Sequence, residues 1–305
     1  MDILRTPATM QDAALSLRAA GRRLGVVPTM GCLHEGHASL IRLARARSDV
    51  TIVTLFVNPA QFGPNEDFAR YPRPFERDAA LCEAEGADIL FAPEAGTVYA
   101  SDASVRIDED RLSRGLCGAS RPGHFRGVCT VVAKLFNLTQ PHVAVFGEKD
   151  AQQLRIVRRM VRDLDIPVEI VAGPTVREPD GLAMSSRNRC LSADERAQAP
   201  CLRRALDEAE RRVLAGERDT ARLRAAMAAE IGRAPLGRVD YIELVDDETL
   251  EPVATLARPV LAALAVFLGR TRLIDNAALN TENGKRKTEP AAPDPAPAFS
   301  SRPEA

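Results

Sequence analysis

The stretch VVPTMGCLHEGHASL, residues 26–40, runs from an apolar pair through a turn containing Gly31 and Gly36 to two histidines, His34 and His37. Val26 and Val27 close the run LGVV (24–27), which reads as a strand, and helical patterning begins near His37 and continues to about Arg47. A strand, a glycine-bearing turn and a helix in succession make one β–α unit. In sheets built from such units, ligands sit beyond the carboxyl ends of the strands, where helix N-termini point unsatisfied N–H groups outward. Gly31 and Gly36 allow close backbone approach there, and His34 and His37, at i and i+3, project from the same helix end.

Outward from this unit the pattern repeats. VTIVTLFV (50–57), ADILFA (87–92), HVAVF (142–146) and PVEIVA (167–172) are continuous apolar runs that predict strands covered on both faces. Helical patterns lie between them at about 74–85, 127–138 and 150–164. Alternating elements of this kind predict an α/β fold with a doubly wound parallel sheet over residues 1–175. The texture then changes. A helix is expected over Ser192–Leu214, opened by a capping box of Ser192 and Glu195, and another over Asp219–Ile231. Strands follow at 239–246, 260–269 and 271–276, so residues 176–283 read as a smaller α+β domain. Residues 284–305, rich in Pro and Ala, read as a disordered tail.

The composition excludes several classes. A net charge of −1 from 41 basic and 42 acidic residues gives no global attraction to nucleic acid or to an acidic membrane, so any phosphate chemistry must be local. Six cysteines without a CxxC fit reduced thiols rather than a disulfide frame or a zinc knuckle. The N-terminus lacks the basic segment and apolar core of a signal peptide, and Val260–Leu268 is too short an apolar run to span a bilayer, so the chain reads as a soluble cytoplasmic protein. Only four basic residues are lysines, two of them, Lys134 and Lys149, before the tail; a position that stays Lys in so Arg-biased a chain suits a compact ammonium.

Several loops join the histidine segment as candidates for chemistry. GEKD (147–150) follows the strand HVAVF and carries Lys149, a point charge suited to phosphate. FVNPAQF (56–62) follows the second strand and offers Asn58 and Gln61 to a polar substrate, while RPGHFRGV (121–128) adds Arg121, His124 and Arg126 ahead of a helix. MSSRN (184–188) supplies hydroxyls, backbone donors and a fixed cation from Ser185, Ser186 and Arg187, a cradle for a triphosphate. Imidazoles at 34 and 37 could donate hydrogen bonds to a phosphate, and a protonated one could neutralise developing charge. The same pair could hold a metal, though zinc wants three or four ligands, or serve structure alone. HEGH does not have the spacing of the HExxH protease motif, and no GxGxxG follows a predicted strand.

HxGH after the first strand and MSSRN after the last resemble the paired signatures of the adenylyl-transferring superfamily that includes the class I aminoacyl-tRNA synthetases. With PTMGCLHEGH, FVNPAQF, RPGHFRGV, FGEKDAQQL, MSSRN and RLIDN in this order, the chain is similar to the pantoate–β-alanine ligase family, the pantothenate synthetases, to about Asn283. The resemblance implies a Rossmann-like nucleotidyl-transferase domain and ATP-dependent condensation of pantoate with β-alanine through a pantoyl adenylate. It places Met30, Gly31, Cys32, Leu33, His34, Glu35, Gly36 and His37 at ATP, with His37 as proton donor and His34 alongside. Gly147, Glu148, Lys149 and Asp150 would bind ATP, Lys149 at its phosphates, as would Val176 and Met184, Ser185, Ser186 and Arg187. Gln61 would meet both pantoate and β-alanine; Gln153, with Asn58, would hold pantoate. Magnesium would escort the triphosphate without a dedicated protein site, no nucleic acid or membrane is expected as partner, and the protein would be a homodimer. The smaller domain would close as a lid. A nucleotidyltransferase acting on a phosphate ester is the alternative enzyme reading, and a metal-binding module the non-enzymatic one.

Overall fold

The computed structural model describes residues 1–64, 66 and 68–279; the expected tail lies outside the described residues. Nine strands and ten helices follow in order among them: β1 Asp2–Leu4, α1 Pro7–Ala19, β2 Leu24–Thr29, α2 Glu35–Arg45, β3 Val50–Leu55, α3 Phe75–Ala84, β4 Ile89–Phe91, α4 Ala95–Val98, α5 Leu116–Ser120, α6 His124–Thr139, β5 Val143–Gly147, α7 Ala151–Asp163, β6 Glu169–Gly173, α8 Ala193–Gln198, α9 Cys201–Leu214, α10 Thr220–Ile231, β7 Gly237–Asp246, β8 Val260–Leu268 and β9 Thr271–Leu279.

The first six strands form one parallel sheet in the order β1-β4-β3-β2-β5-β6. Successive residues of its strands alternate between two cores because a strand turns neighbouring side chains to opposite faces. Val26, Ile52, Ile89 and Ala144 pack with α1, α6 and α7 on one side. Val27, Val53, Leu90 and Val145 pack with α2 and α3 on the other. Both faces are apolar, so the runs read as continuous rather than alternating. From β2 the chain moves outward to β3 and β4; β5 then lies on the other side of β2. That reversal opens a crevice at the carboxyl ends of β2 and β5.

β7, β8 and β9 form an antiparallel sheet in that order. One face, with Leu244, Leu264 and Leu273, is covered by α9 and α10. From its other face Leu261, Ala263, Tyr241 and Ile274 join the core of the parallel sheet.

Several details differ from the sequence reading, among them the short helices α4 and α5, which were not expected. The short β1 and the helix α1 were not expected, although Thr6 caps α1 by accepting from Thr9 N–H and Pro7 stands at its first turn. The helix expected over Ser192–Leu214 is two, α8 and α9, because Pro200 lacks the N–H needed to continue the ladder. α2 starts at Glu35, ahead of His37, because His34 is its N-cap.

Candidate active site

The turn after β2 is held by a buried carboxylate. Gly31 and Cys32 both have positive φ, 83° and 53°, which aims successive N–H groups to one side. Asp78 of α3, 2% exposed, receives two N–H groups of the turn: Cys32 N–H at 2.6 Å and Leu33 N–H at 2.8 Å. Burial raises the Asp78 pKa, and the two N–H donors oppose that rise by favouring the carboxylate.

His34 and His37 then cap α2 reciprocally. His34 Nδ1 accepts from Gly36 N–H at 3.2 Å, and His37 Nδ1 accepts from His34 N–H at 3.3 Å. The arrangement is a capping box made of imidazoles instead of Ser and Glu. Gly36 makes room for it, since a Cβ there would stand 2.9 Å from His34 Cε1. The ring centroids are 4.1 Å apart. Each Nδ1 is an acceptor, so each ring carries its proton on Nε2. Burial, with the Lys149 ammonium, lowers His34 to about 4, and burial, with His34 and Lys149, lowers His37 to about 3. Both imidazoles are therefore neutral in the free protein, so of the two roles the sequence left open the site favours that of Nε2–H hydrogen-bond donor.

The loop after β3 brings in Gln61. Asn58, 1% exposed, is saturated by protein: its amide donates to Gln61 Oε1 at 3.0 Å and Gly127 O at 3.1 Å, and its oxygen accepts from Ala60 N–H and Tyr99 O–H. With Oε1 engaged, Gln61 turns Nε2 inward, 3.0 Å from Met30 Sδ. Asn58 thus lines the cavity with both side-chain polar atoms engaged by protein, and it fixes the Gln61 amide. The Gln61 carbonyl accepts from His124 Nδ1–H at 2.8 Å; His124 Nε2 accepts from Arg121 at 3.0 Å, and Arg121 pairs with Glu66. Burial and Arg121 lower His124 to about 4, which keeps it neutral for that role.

After β5, residues 148–150 form a short 3-10 turn, and Lys149 Nζ lies 3.8 Å from Asp150. In α7, the two glutamines of DAQQL divide the work. Gln152 binds Cys117 N–H, Leu112 O and Gly115 O, whereas Gln153 faces the crevice. Past β6, Met184 N–H donates to Val176 O at 2.9 Å, and Ser185 caps the turn that follows.

These loops enclose a cavity of about 230 Å³ at the switch point. Met30, His34, Gly36, His37, Asn58, Gln61, Gly147, Lys149, Asp150, Gln153, Val176 and Met184–Arg187 all line it. Gly31, Cys32, Leu33, Glu35 and Glu148 do not. Cys32 and Leu33 are buried beneath the turn, and Glu35 pairs with Arg42 at the surface. Cys32, Leu33 and Glu35 thus lie behind or outside the cavity wall, and Gly31 and Glu148 adjoin its lining residues Met30 and Lys149. The cavity opens into a larger cleft of about 670 Å³ between the two sheets, lined in addition by Arg70, Arg272 and Asn276.

A pocket where two Nε2–H donors, an ammonium and two primary amides converge suits a polyphosphate beside a small hydroxy acid. The chain matches the pantoate–β-alanine ligase family over residues 2–278. It belongs to that family. Pantothenate synthetase of Thermotoga neapolitana is 53% identical over 279 residues, covering 92% of this chain and 100% of that protein. Among solved structures, pantothenate synthetase of Thermus thermophilus superposes with a TM-score of 0.86 at 45% identity, covering 91% of this chain and 99% of that one. The pantoate–β-alanine ligase of Francisella tularensis, complexed with β-γ ATP and β-alanine, gives 0.77 at 32% identity, covering 93% and 99%. Family membership makes this chain a ligase of pantothenate biosynthesis.

Sequence reasoning missed the residues that hold this site: Asp78, Tyr99, Arg177, Asp275 and Asn276. Only the last two carried a signal, the motif RLIDN, and it came without a role. Among the described residues no helix is long and apolar enough to cross a membrane.

Proposed function

We propose that the chain performs its family's ATP-dependent ligation of pantoate with β-alanine in two half-reactions in this cavity. A pantoate carboxylate oxygen attacks the α-phosphorus of ATP, the bond to the β-phosphate breaks, and pyrophosphate leaves. The β-alanine amine then adds to the acyl carbon of the pantoyl adenylate; AMP leaves with the former carboxylate oxygen, and the nitrogen loses a proton. A carboxylate is a poor acyl donor, so the work of the protein is to position anions and neutralise charge.

The observation that carries this reading is the reciprocal cap of His34 and His37 beside Lys149. It presents two neutral N–H donors and one cation to the place where phosphate charge moves. His37 gives its hydrogen bond to the phosphoryl oxygens from the neutral tautomer, with His34 next to it. Lys149 and Ser185, Ser186 and Arg187 hold the phosphates, and Val176 and Met184 border the nucleotide. Gln61 directs Nε2–H at pantoate and later at β-alanine, and Gln153 binds pantoate.

Magnesium would arrive with the triphosphate and, when bound, would offset phosphate charge. Asp150 is the only carboxylate lining the inner cavity among the described residues, and no group of three or more His, Cys, Asp or Glu is gathered there. That donor set would suit an ion carried in by the triphosphate, with Asp150 the carboxylate that could help to hold it. Residues 176–279 act as a cover whose loop 184–187 keeps water from the adenylate. A cytoplasmic homodimer belongs to the same proposal, and sedimentation tests its oligomeric half.

The deciding experiment incubates the protein with ATP, magnesium and pantoate and measures AMP with and without β-alanine. AMP that appears only with both substrates, and falls about 10²–10³-fold in His37→Ala, is the expected result. A folded protein that binds ATP but releases no AMP would refute the choice of substrates.

A further inference from the structure

The late motif RLIDN lies far in sequence from the nucleotide loops, yet two of its residues reach both. Asn276 of β9 donates through Nδ2 to Glu148 O at 3.0 Å and Lys149 O at 2.9 Å, the carbonyls of the turn that carries the ammonium. Asp275, its neighbour, is 2% exposed and pairs with Arg177 through both oxygens, at 2.7 and 3.0 Å. Arg177 also donates to Gly181 O, and it bridges to Ala183 immediately before Met184–Arg187. Successive residues of a strand face opposite ways. β9 therefore passes between the two loops and grips one from each face.

We propose that Asp275 and Asn276 are positioning residues for ATP. Their spacing along β9 sets the gap between the Lys149 turn and the Met184–Arg187 loop, into which the triphosphate fits. The antiparallel sheet is in this respect a spacer as well as a cover, and the proposal builds on the ATP-binding role of both loops. Neither residue touches the reacting atoms. Their effect passes through the placement of Lys149 and of the serine–arginine loop, where small displacements cost binding and rate steeply.

Asn276 is the better site for a test, because Asp275→Ala would leave Arg177 facing an emptied buried pocket and could unfold the chain. Asn276→Ala should raise KM for ATP about tenfold, the size expected for two lost hydrogen bonds, and weaken binding of α,β-methylene ATP in calorimetry to match. KM for pantoate should stay within about twofold and the melting temperature within a few degrees. Asn276→Asp should be worse than alanine, since a carboxylate would face two carbonyl oxygens. Asn276→Ser, which keeps one donor at shorter reach, should fall between wild type and alanine.

A merely structural residue would lower the melting temperature and the active fraction while leaving KM for ATP alone, and that pattern would overturn the proposal. So would a parallel rise in both KM values. If the wild-type protein itself fails to bind the ATP analogue, the ATP-binding role of the loops falls, and this proposal falls with it.

Discussion

The two segments assigned to ATP are built on different terms. Residues 30–37 are closed by bonds from directly beneath or within the turn: Asp78 takes two N–H groups, Thr29 Oγ1 takes that of Gly31, and the histidines cap each other. Residues 184–187 are half-buried and depend on distant parts of the chain. Ser186 meets Tyr71 at 3.4 Å, and Arg177 in the preceding segment is anchored by Asp275. The first segment is preorganised by these bonds, and the second is held through contacts with other elements of the fold. Preorganised donors act at the chemical step without reorganisation cost, whereas adjustable ones suit capture and exclusion of water.

The contrast can be broken most directly at Asp78. Asp78→Asn can accept only one of the two N–H groups and turns its amide hydrogens on the other, at a cost of about 1–3 kcal/mol in stability. Urea unfolding should show that loss, together with weaker ATP binding; an unchanged midpoint would mean that the turn is rigid for some other reason.

Histidine titration sharpens the comparison next. NMR of the ring nuclei should find Nε2–H tautomers that titrate with midpoints near 4 for His34 and near 3 for His37, not at 6.5. Since the folded values lie below the unfolded one, their contribution to stability is complete above pH 6.5 and is lost as the pH falls below it. A midpoint near 6.5 in the free protein would remove the case for preorganisation.

Limited proteolysis addresses the other segment. Cleavage around residues 175–190 should decrease when ATP and pantoate are both bound, while residues 30–37 should resist with or without them. Equal cleavage of the 175–190 region at saturating ligand counts against its closing.

The smallest effect belongs to Cys32→Ala. Cys32 supplies a backbone N–H to Asp78, and its Sγ takes part in one weak hydrogen bond among the described residues, with Arg189 at 3.8 Å, so alanine should keep activity within about twofold. A loss approaching that of His37→Ala would show that the thiol matters.

What the sequence discloses and what it withholds divide by the range of the contact. β2, β3 and β5 are legible because strands buried on both faces are nearly uninterrupted apolar runs rich in Val. The histidines, Lys149, Gln61 and the serine loop are legible because their chemistry is local to a turn. β1 escapes because three residues, two of them exposed, hold no periodicity. Asp78, Tyr99 and Asn276 escape for a different reason. Each acts on a backbone or side chain more than 40 positions away, such as Tyr99 on Asn58 and Asn276 on Glu148, and no spacing within a motif encodes that. Pro200 is the exception, a plain breaker inside a helical pattern whose periodicity outweighed it.

The mutual capping of His34 and His37 has one more consequence. The side chains that meet the nucleotide are also those that start α2, so the foldedness of this helix and the fitness of the site are a single trait. A substitution that uncaps the helix therefore loosens the donors as well, and only a replacement that restores both the cap and an outward N–H can spare the two together.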